Sequence, residues 1–394
     1  MKKWIKIFTI SIRNTVILFF ILEIFLHFLF QYNDENRFHK NVDFKIASGA
    51  YQDIDPEIIK EMYDELHRLD TEWAPYIYYK LKEFDEKYHH INANGIRKTV
   101  NFNQKNRASA FKVFCFGGST LFGTGTREQH TIPSRLSHYI HQNFPKKNIE
   151  ITNFGCHGYT RSIENIQLQR EILKNNIPDL VIFYDGVNEV ISAFENNEAD
   201  LPASSFNRRK EFRISNYYGR KISMLYSSSN IKRLVTYLQK KVFKTKPMQV
   251  SDPENLSTQI ALQHIRSFEI TKALGKQYNF KVYNFLQPMI FLDKPLTKPE
   301  KIMAKDNSHF RSLYINTYRD ILKQTELRKD STFTDISSIF IEDTNTIYTD
   351  FCHIAERGND SIAKKIFSYI TPSIAKGNES KTTNIQTETL QSFQ

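Results

Sequence analysis

The sequence predicts an α/β protein, a five-stranded parallel sheet with crossover helices on both faces, preceded by one apolar N-terminal helix. Three observations carry this expectation. From Phe111 onward, short apolar runs bounded by Gly, Asn and Asp alternate with longer helical segments, and that alternation builds a parallel sheet. The 394 residues, 40% hydrophobic and 13% aromatic, suffice for one large α/β core with appendages. The one long apolar run, Thr15 to Phe30, lies before the alternation begins.

That run, TVILFFILEIFLHFLF, follows Lys2, Lys3, Lys6 and Arg13, the charge order of a segment inserted with its N-terminus in the cytoplasm. Its sixteen residues span about 24 Å as a helix, so a full crossing takes in Ile10 and Ile12, with Arg13 snorkelling to the interface. Gln31, Tyr32 and Asn33 offer no small-residue cleavage site, which favours an uncleaved anchor over a removed signal peptide or a buried soluble helix. On this reading residues 1–32 are a single-pass transmembrane anchor, and the rest of the chain lies in the periplasm or outside the cell. Glu23 and His27 share one helical face; they form a proton-sharing pair, a helix–helix contact, or a tolerated polar pair near the outer leaflet.

Residues 33–107 read as a charged, aromatic juxtamembrane stalk, with a helix over Pro56 to Leu69 capped by Asp55 and started by Pro56. The main domain, 108–372, takes its strands at Phe111 to Phe116, Glu150 to Phe154, Asp179 to Tyr184, Lys281 to Leu286 and Phe333 to Ile336. Its helices fall at Ile132 to Gln142, Arg161 to Lys174, Pro253 to Tyr278, His309 to Leu327 and Asn359 to Ile370. Residues 196–250 interrupt the rhythm as a basic insertion. Residues 373–394, rich in Ser, Thr, Asn and Gln, read as a disordered tail.

The net charge of +11 is a local feature. Between Leu201 and Val250 there are twelve Lys or Arg against one acid, Glu211, an excess equal to that of the whole chain. Tyr217, Tyr218, Tyr226, Tyr237 and Phe243 are interleaved with these cations. A cap over the sheet edge that contacts acidic glycan or anionic lipid headgroups is one reading, and a solvated excursion is the other. The compartment disfavours nucleic acid. Cys115, Cys156 and Cys352 cannot all pair; they read as buried thiols, with a Cys156–Cys352 disulfide as the alternative in an oxidising compartment.

Sites in open α/β sheets form beyond the carboxyl ends of the strands. The first strand ends FCFGGSTLFG, where Gly117 and Gly118 permit a tight turn that presents Ser119 at a strand-to-helix junction. The second ends NFGCHGYT and the third YDGVNEV, with Asn188 as an amide donor. Near the C-terminus, DFCH places Asp350 three residues before His353, a spacing that lets a carboxylate hold an imidazole while its other nitrogen faces a serine. Each motif alone is also an ordinary turn or cap.

Together and in this order they resemble the conserved blocks of the SGNH, or GDSL-like, hydrolase superfamily, over roughly Phe111 to Thr371. The resemblance implies a three-layer α/β/α, flavodoxin-like fold. It implies Ser119, Asp350 and His353 as catalytic triad, and an oxyanion hole made by the amides of Ser119 and Gly158 and the side chain of Asn188. In the second block Asn153, Gly158 and Thr160 match N-x-x-x-x-G-x-T. The chain departs from the family pattern at Gly118, where GDSL has Asp, and at Glu189, where the third block has Asp; neither is implied to have a direct chemical role. The anchor and the phrase NANGIRKT, Asn92 to Thr99, resemble membrane-tethered bacterial members.

What the resemblance implies is a serine esterase cleaving acyl esters, acetyl foremost, on an envelope or extracellular glycan. An O-acyltransferase with the same triad and a non-catalytic tethered glycan-binding protein are the alternatives. No metal or organic cofactor is required. His89, His90, His130, His138 and His141 have no ligand spacing, and His157 is placed to line the pocket. Oligomeric state is not encoded legibly.

Overall fold

The computed structural model describes residues 2–40, 48–102, 106, 109–203, 205, 229–242 and 250–376. The chain forms two compact units, one of Met1–Phe44 with Ser204–Gln249 and one of Lys45–Ala203 with Val250–Gln394.

In chain order the described elements begin with helix α1 (Lys2–Lys40) and helix α2 (Pro56–Arg68), followed by four short strands, β1 (Thr71–Ala74), β2 (Tyr78–Leu81), β3 (Phe84–Asp85) and β4 (His90–Ile91). Strand β5 (Phe111–Gly117) leads into the one-turn helix α3 (Ser119–Phe122), then α4 (Ile132–Asn143), β6 (Ile149–Asn153), α5 (Arg161–Leu173), β7 (Leu180–Asp185) and α6 (Val187–Asn196). After these come α7 (Asn230–Val242), α8 (Pro253–Tyr278), β8 (Lys281–Leu286), α9 (Lys298–Asp306), α10 (Arg311–Arg328), β9 (Phe333–Asp335) and α11 (Glu356–Lys376).

The larger unit is built on a five-stranded sheet, ordered β6-β5-β7-β8-β9 and parallel throughout. Counted from its first strand this is the order 2-1-3-4-5 of flavodoxin-like sheets, whose crevice opens where the winding reverses, between the first and third strands. The central strands are apolar on both faces because both are covered. Val113, Cys115, Ile182, Tyr184 and Phe285 join a core with Leu136 and Ile140 of α4 and Ile362, Ile366 and Ile370 of α11. Their neighbours Phe114, Phe116, Val181, Phe183 and Val282 face the opposite core, with Leu168 and Ile172 of α5 and Phe268 of α8. The result is the α/β/α layering expected from the sequence. Phe116 lies between Phe154, at 4.8 Å, and Phe183, at 5.2 Å.

Local signals set the helix starts. Asp55 accepts the Glu57 N–H at 2.9 Å ahead of Pro56, and Asp252 accepts the Asn255 N–H at 3.0 Å ahead of Pro253. All five sheet strands fall within a residue of their expected bounds. The last helix starts earlier than expected, at Glu356, and continues to Lys376, so 373–376 is helix rather than tail; residues 377–394 lie outside the described residues. Much of the expected basic insertion, including 206–228 and 243–249, also lies outside them.

The segment expected as a stalk belongs, from Lys45, to the same unit as the sheet. It holds two hairpins that its charged, aromatic sequence concealed: β1 pairs with β2 and β3 with β4, each antiparallel. Residues 97–101 then run along the outer edge of β6, where Asn101 exchanges hydrogen bonds with Ile151 at 2.8 and 3.0 Å. That pairing covers an otherwise open sheet edge. The three cysteines are buried and free, so Cys156 and Cys352 are not bridged.

Helix α1 is long and apolar enough over Lys2–Tyr32 to cross a membrane, with a mean hydropathy of 1.9 in its most apolar window and almost all of that window exposed. A signal sequence passes the same test. Glu23 and His27 do not pair: the Glu23 carboxylate accepts backbone N–H groups of α7, whereas the His27 ring packs edge-on against Phe28 at 5.6 Å.

Candidate active site

The loops after β5, β6 and β7 and the turn before α11 converge at the carboxyl ends of the strands. Ser119 opens α3 directly after Gly118, and its Oγ lies 2.7 Å from Nε2 of His353. The other ring nitrogen of His353 lies 2.5 Å from Oδ2 of Asp350. Oδ1 of Asp350 accepts the backbone N–H groups of Cys352, at 2.8 Å, and His353, at 2.7 Å. The turn therefore holds the carboxylate with its own backbone and leaves the second oxygen for the imidazole.

Electrostatics follow from this packing. Burial pushes the Asp350 carboxyl up, but the His353 charge, its hydrogen bond and the two N–H groups outweigh it and hold the carboxyl at about 2. Burial works against protonation of His353, yet the Asp350 carboxylate outweighs it and raises the imidazole well above its ordinary range. An ionised Asp350 thus persists across physiological pH and orients the imidazole with its Nδ1–H toward Oδ2.

Asn188, the second residue of α6, points its amide back toward the serine loop. Its Nδ2 donates to the Tyr159 carbonyl at 2.7 Å. A side chain at Gly118 would put its Cβ 2.1 Å from that nitrogen. The absence of a side chain at 118 is what lets Asn188 approach the serine loop. Gly158 has φ +70°, a conformation that favours glycine. Among the described residues, no acceptor takes the backbone N–H of Ser119 or of Gly158. The Asn188 amide thus stands between the Gly118 turn and the Tyr159 carbonyl, with the Ser119 and Gly158 N–H groups on the same two loops. Such a set can stabilise charge that develops on an oxygen.

Residues outside the motifs fix these loops. Glu189 accepts the Arg161 N–H at 2.7 Å with one oxygen and the Gly186 N–H at 3.1 Å with the other, tying the Gly158 loop to the Asn188 loop. Burial, then the charge of Asp185, pushes the Glu189 carboxyl up to about 7. Below it, the buried Arg161 donates to Asp185 at 2.7 Å and to Asn284, and its guanidinium lies 3.4 Å from the centre of the Phe183 ring. Asn153 joins the end of β6 to α3 by donating to the Leu121 and Phe122 carbonyls at 3.3 and 3.4 Å.

The NANGIRKT phrase acquires a role through Arg97, which is fully buried. Its guanidinium donates to the carbonyls of Phe122, Gly123 and Thr126, at 3.1, 2.8 and 2.7 Å, and to that of Tyr88 at 3.1 Å. One side chain thereby holds the loop that follows Ser119. From β2, Tyr79 donates its hydroxyl to the His157 carbonyl at 2.6 Å and crowds Gly158. His157 is neutral, its pKa pushed down to about 3 by burial and then by the charges of His353 and Arg97, and its Nε2 pairs with Thr124 at 2.9 Å. Sequence reading missed Tyr79 and the Glu189 clamp. Glu189 was visible as the third-block departure, whereas no local signal marks Tyr79.

No family model matches the sequence, and no curated protein matches it. Forty-four chains of solved structures match. One is the acetyl xylan esterase AlAXEase, 14% identical, covering 66% of this chain and 99% of that chain with a TM-score of 0.36. A lipolytic G-D-S-L family member from Veillonella parvula is 12% identical, with coverages of 66% and 99% and a TM-score of 0.39. A single-residue variant of Axe2, an acetyl xylan esterase from Geobacillus stearothermophilus, is 13% identical, with coverages of 66% and 95% and a TM-score of 0.36. Among solved structures, then, the chain is similar to lipolytic G-D-S-L proteins and acetyl xylan esterases.

Proposed function

We propose that this protein is a serine hydrolase of acyl esters, with Ser119 as nucleophile, His353 as general base and Asp350 as the group that orients and charges the imidazole. The observation that carries the reading is the unbroken chain Ser119 Oγ–His353 Nε2, 2.7 Å, and His353 Nδ1–Asp350 Oδ2, 2.5 Å. His353 takes the serine proton as Oγ attacks the ester carbonyl, and the alkoxy group leaves with that proton. Water, activated by the same imidazole, then cleaves the acyl-serine. The oxyanion of each tetrahedral intermediate is held by the amides of Ser119 and Gly158 and by Asn188.

Helix α1 is proposed as an uncleaved membrane anchor that holds the larger unit on the outer side, where the esters of envelope or extracellular glycans are the available substrates. The test is fluorophosphonate labelling of the full chain in detergent together with hydrolysis of simple acetyl esters. Labelling on Ser119 and its loss in Ser119→Ala, with loss of hydrolysis, is the expected result; hydrolysis surviving in Ser119→Ala overturns the assignment. Adding glycan acceptors and comparing transfer with hydrolysis separates an esterase from an acyltransferase.

A further inference from the structure

Two features singled out in the sequence are unused by this chemistry: an acid inside the apolar run, and the local excess of cations. They meet in the smaller unit. Helix α7 begins against the middle of α1, and Glu23 receives its N-terminus, accepting the Asn230 N–H at 2.8 Å on one oxygen and the Ile231 N–H at 2.9 Å on the other. Asn230 also donates its side-chain amide to the Glu23 carbonyl at 3.5 Å. The Arg233 guanidinium lies over the Phe30 ring at 4.3 Å. Between Trp4 and Tyr32, only Glu23, Leu26 and Phe30 of α1 are covered, and these positions, three and four apart, form one helical stripe.

Depth makes this contact informative. Glu23 lies about 10 Å along the helix axis from Phe30, the outer end of the apolar run. On the membrane-anchor reading, on which this inference rests, the start of α7 is then below the headgroup layer. The first N–H groups of any helix lack an internal acceptor, and hydrocarbon supplies none. A carboxylate in hydrocarbon is equally costly by itself. Each resolves the other: Glu23 satisfies two N–H groups, and the positive end of the α7 dipole compensates its charge.

The exposed surface of α7 is consistent with that medium. Its amphipathic pattern sets Ile231, Leu234, Val235 and Leu238 at helical spacing. Tyr237 and Leu238 remain exposed at 49% and 47%. Four cations and no acid lie in the same thirteen residues, and the sequence of the last turn includes Lys240 and Lys241. The Arg233 guanidinium lies at Phe30, outward of Glu23 along α1, so α7 leads outward from its capped start.

We infer that α7 is a re-entrant, lipid-embedded helix capped within the membrane by Glu23, with its basic C-terminal turn at a layer of anionic phospholipid headgroups. The full chain is reconstituted in nanodiscs carrying phospholipids brominated on their acyl chains, with an environment-sensitive fluorophore on Leu238→Cys or, as reference, on Phe25→Cys of α1. Wild type labelled in parallel gives the background from the three buried cysteines. Both labels are expected to be quenched, and adding Glu23→Ala is expected to abolish quenching at 238 while leaving it at 25. Quenching at 25 but not at 238 overturns the inference and leaves the anchor standing. Quenching at neither position overturns the anchor reading as well. Quenching at 238 that survives Glu23→Ala overturns the capping role. The headgroup contact is read by comparing anionic with zwitterionic nanodiscs: Lys240→Gln with Lys241→Gln should weaken quenching at 238 only in the anionic ones. An equal effect in both, or one seen only with a soluble acidic polysaccharide, overturns the lipid assignment.

Discussion

Asp350 and His353 meet within a single turn, where one carboxylate oxygen accepts two N–H groups of the same tetrapeptide and the other faces the imidazole. Ser119, Gly158 and Asn188 instead come from the ends of three separate strands, and they stay in register through Arg97, Glu189, Asn153 and Tyr79, none of which is proposed to touch substrate. The acid–base half is local and nearly self-supporting. The half proposed to hold the oxyanion is an assembly whose geometry depends on scaffold side chains and on an early hairpin. The contrast teaches where each half is vulnerable: the first to loss of a reacting group, the second also to changes some distance away.

The largest expected effect tests the local half. His353→Ala should lower kcat by about 10⁴ to 10⁶ with the thermal midpoint little changed, measured by steady-state hydrolysis beside a melting curve. Asp350→Asn comes next, at about 10⁴. Its pH profile sharpens the point. The base acts when deprotonated and its pKa is raised by Asp350, so kcat/KM of the wild type should rise with pH through an inflection above 6.5. Without the carboxylate that inflection should move down, and an unmoved inflection would show that Asp350 does not control the imidazole.

On the assembled half, Asn188→Ala should cost about 10² to 10³ in kcat, or roughly 3 to 4 kcal/mol of transition-state stabilisation, with KM little affected. Gly118→Ala should mimic it in direction, because the new methyl would occupy the place of the Asn188 amide. Equal activity of wild type and Gly118→Ala would break the link between Gly118 and Asn188. The smallest effect is reserved for Tyr79→Phe, which removes one hydrogen bond to the His157 carbonyl. A loss of about 1 kcal/mol, roughly five- to tenfold in kcat, is expected, with the His353 inflection unmoved. A shifted inflection there would erase the distinction between the halves.

What could be read without a structure does not follow the same division. Asp350, His353 and Ser119 were legible only jointly: each motif alone is also an ordinary turn or cap, and it was their order along the chain with Gly158 and Asn188, resembling the blocks of a hydrolase superfamily, that singled them out. The five sheet strands were legible because parallel strands buried on both faces are continuous apolar runs. The short strands of the hairpins were not: Thr71 to Leu81 is charged and aromatic, half exposed, and held in place by contacts such as the Tyr159 hydroxyl donating to the Tyr79 carbonyl at 2.5 Å. Glu23 was visible as an anomaly, but its apparent partner, His27, was the neighbour in sequence rather than the one in space.

By itself the sequence determined the sheet, the order of its strands along the chain, the apolar N-terminal helix and the identity of the side chains proposed to react. The sheet and the apolar helix depend on periodicity and turn chemistry, which act over a few residues, and the side chains proposed to react on the joint order of four motifs along the chain. Tertiary structure alone decided that Arg97 holds the loop after Ser119, that Glu189 joins two donor loops, that Gly118 makes room for Asn188, and that Glu23 caps α7. Apart from the glycine, each is a polar group whose partner lies far along the chain, and removal from water without a partner is so costly that the fold, rather than the local sequence, selects the pairing.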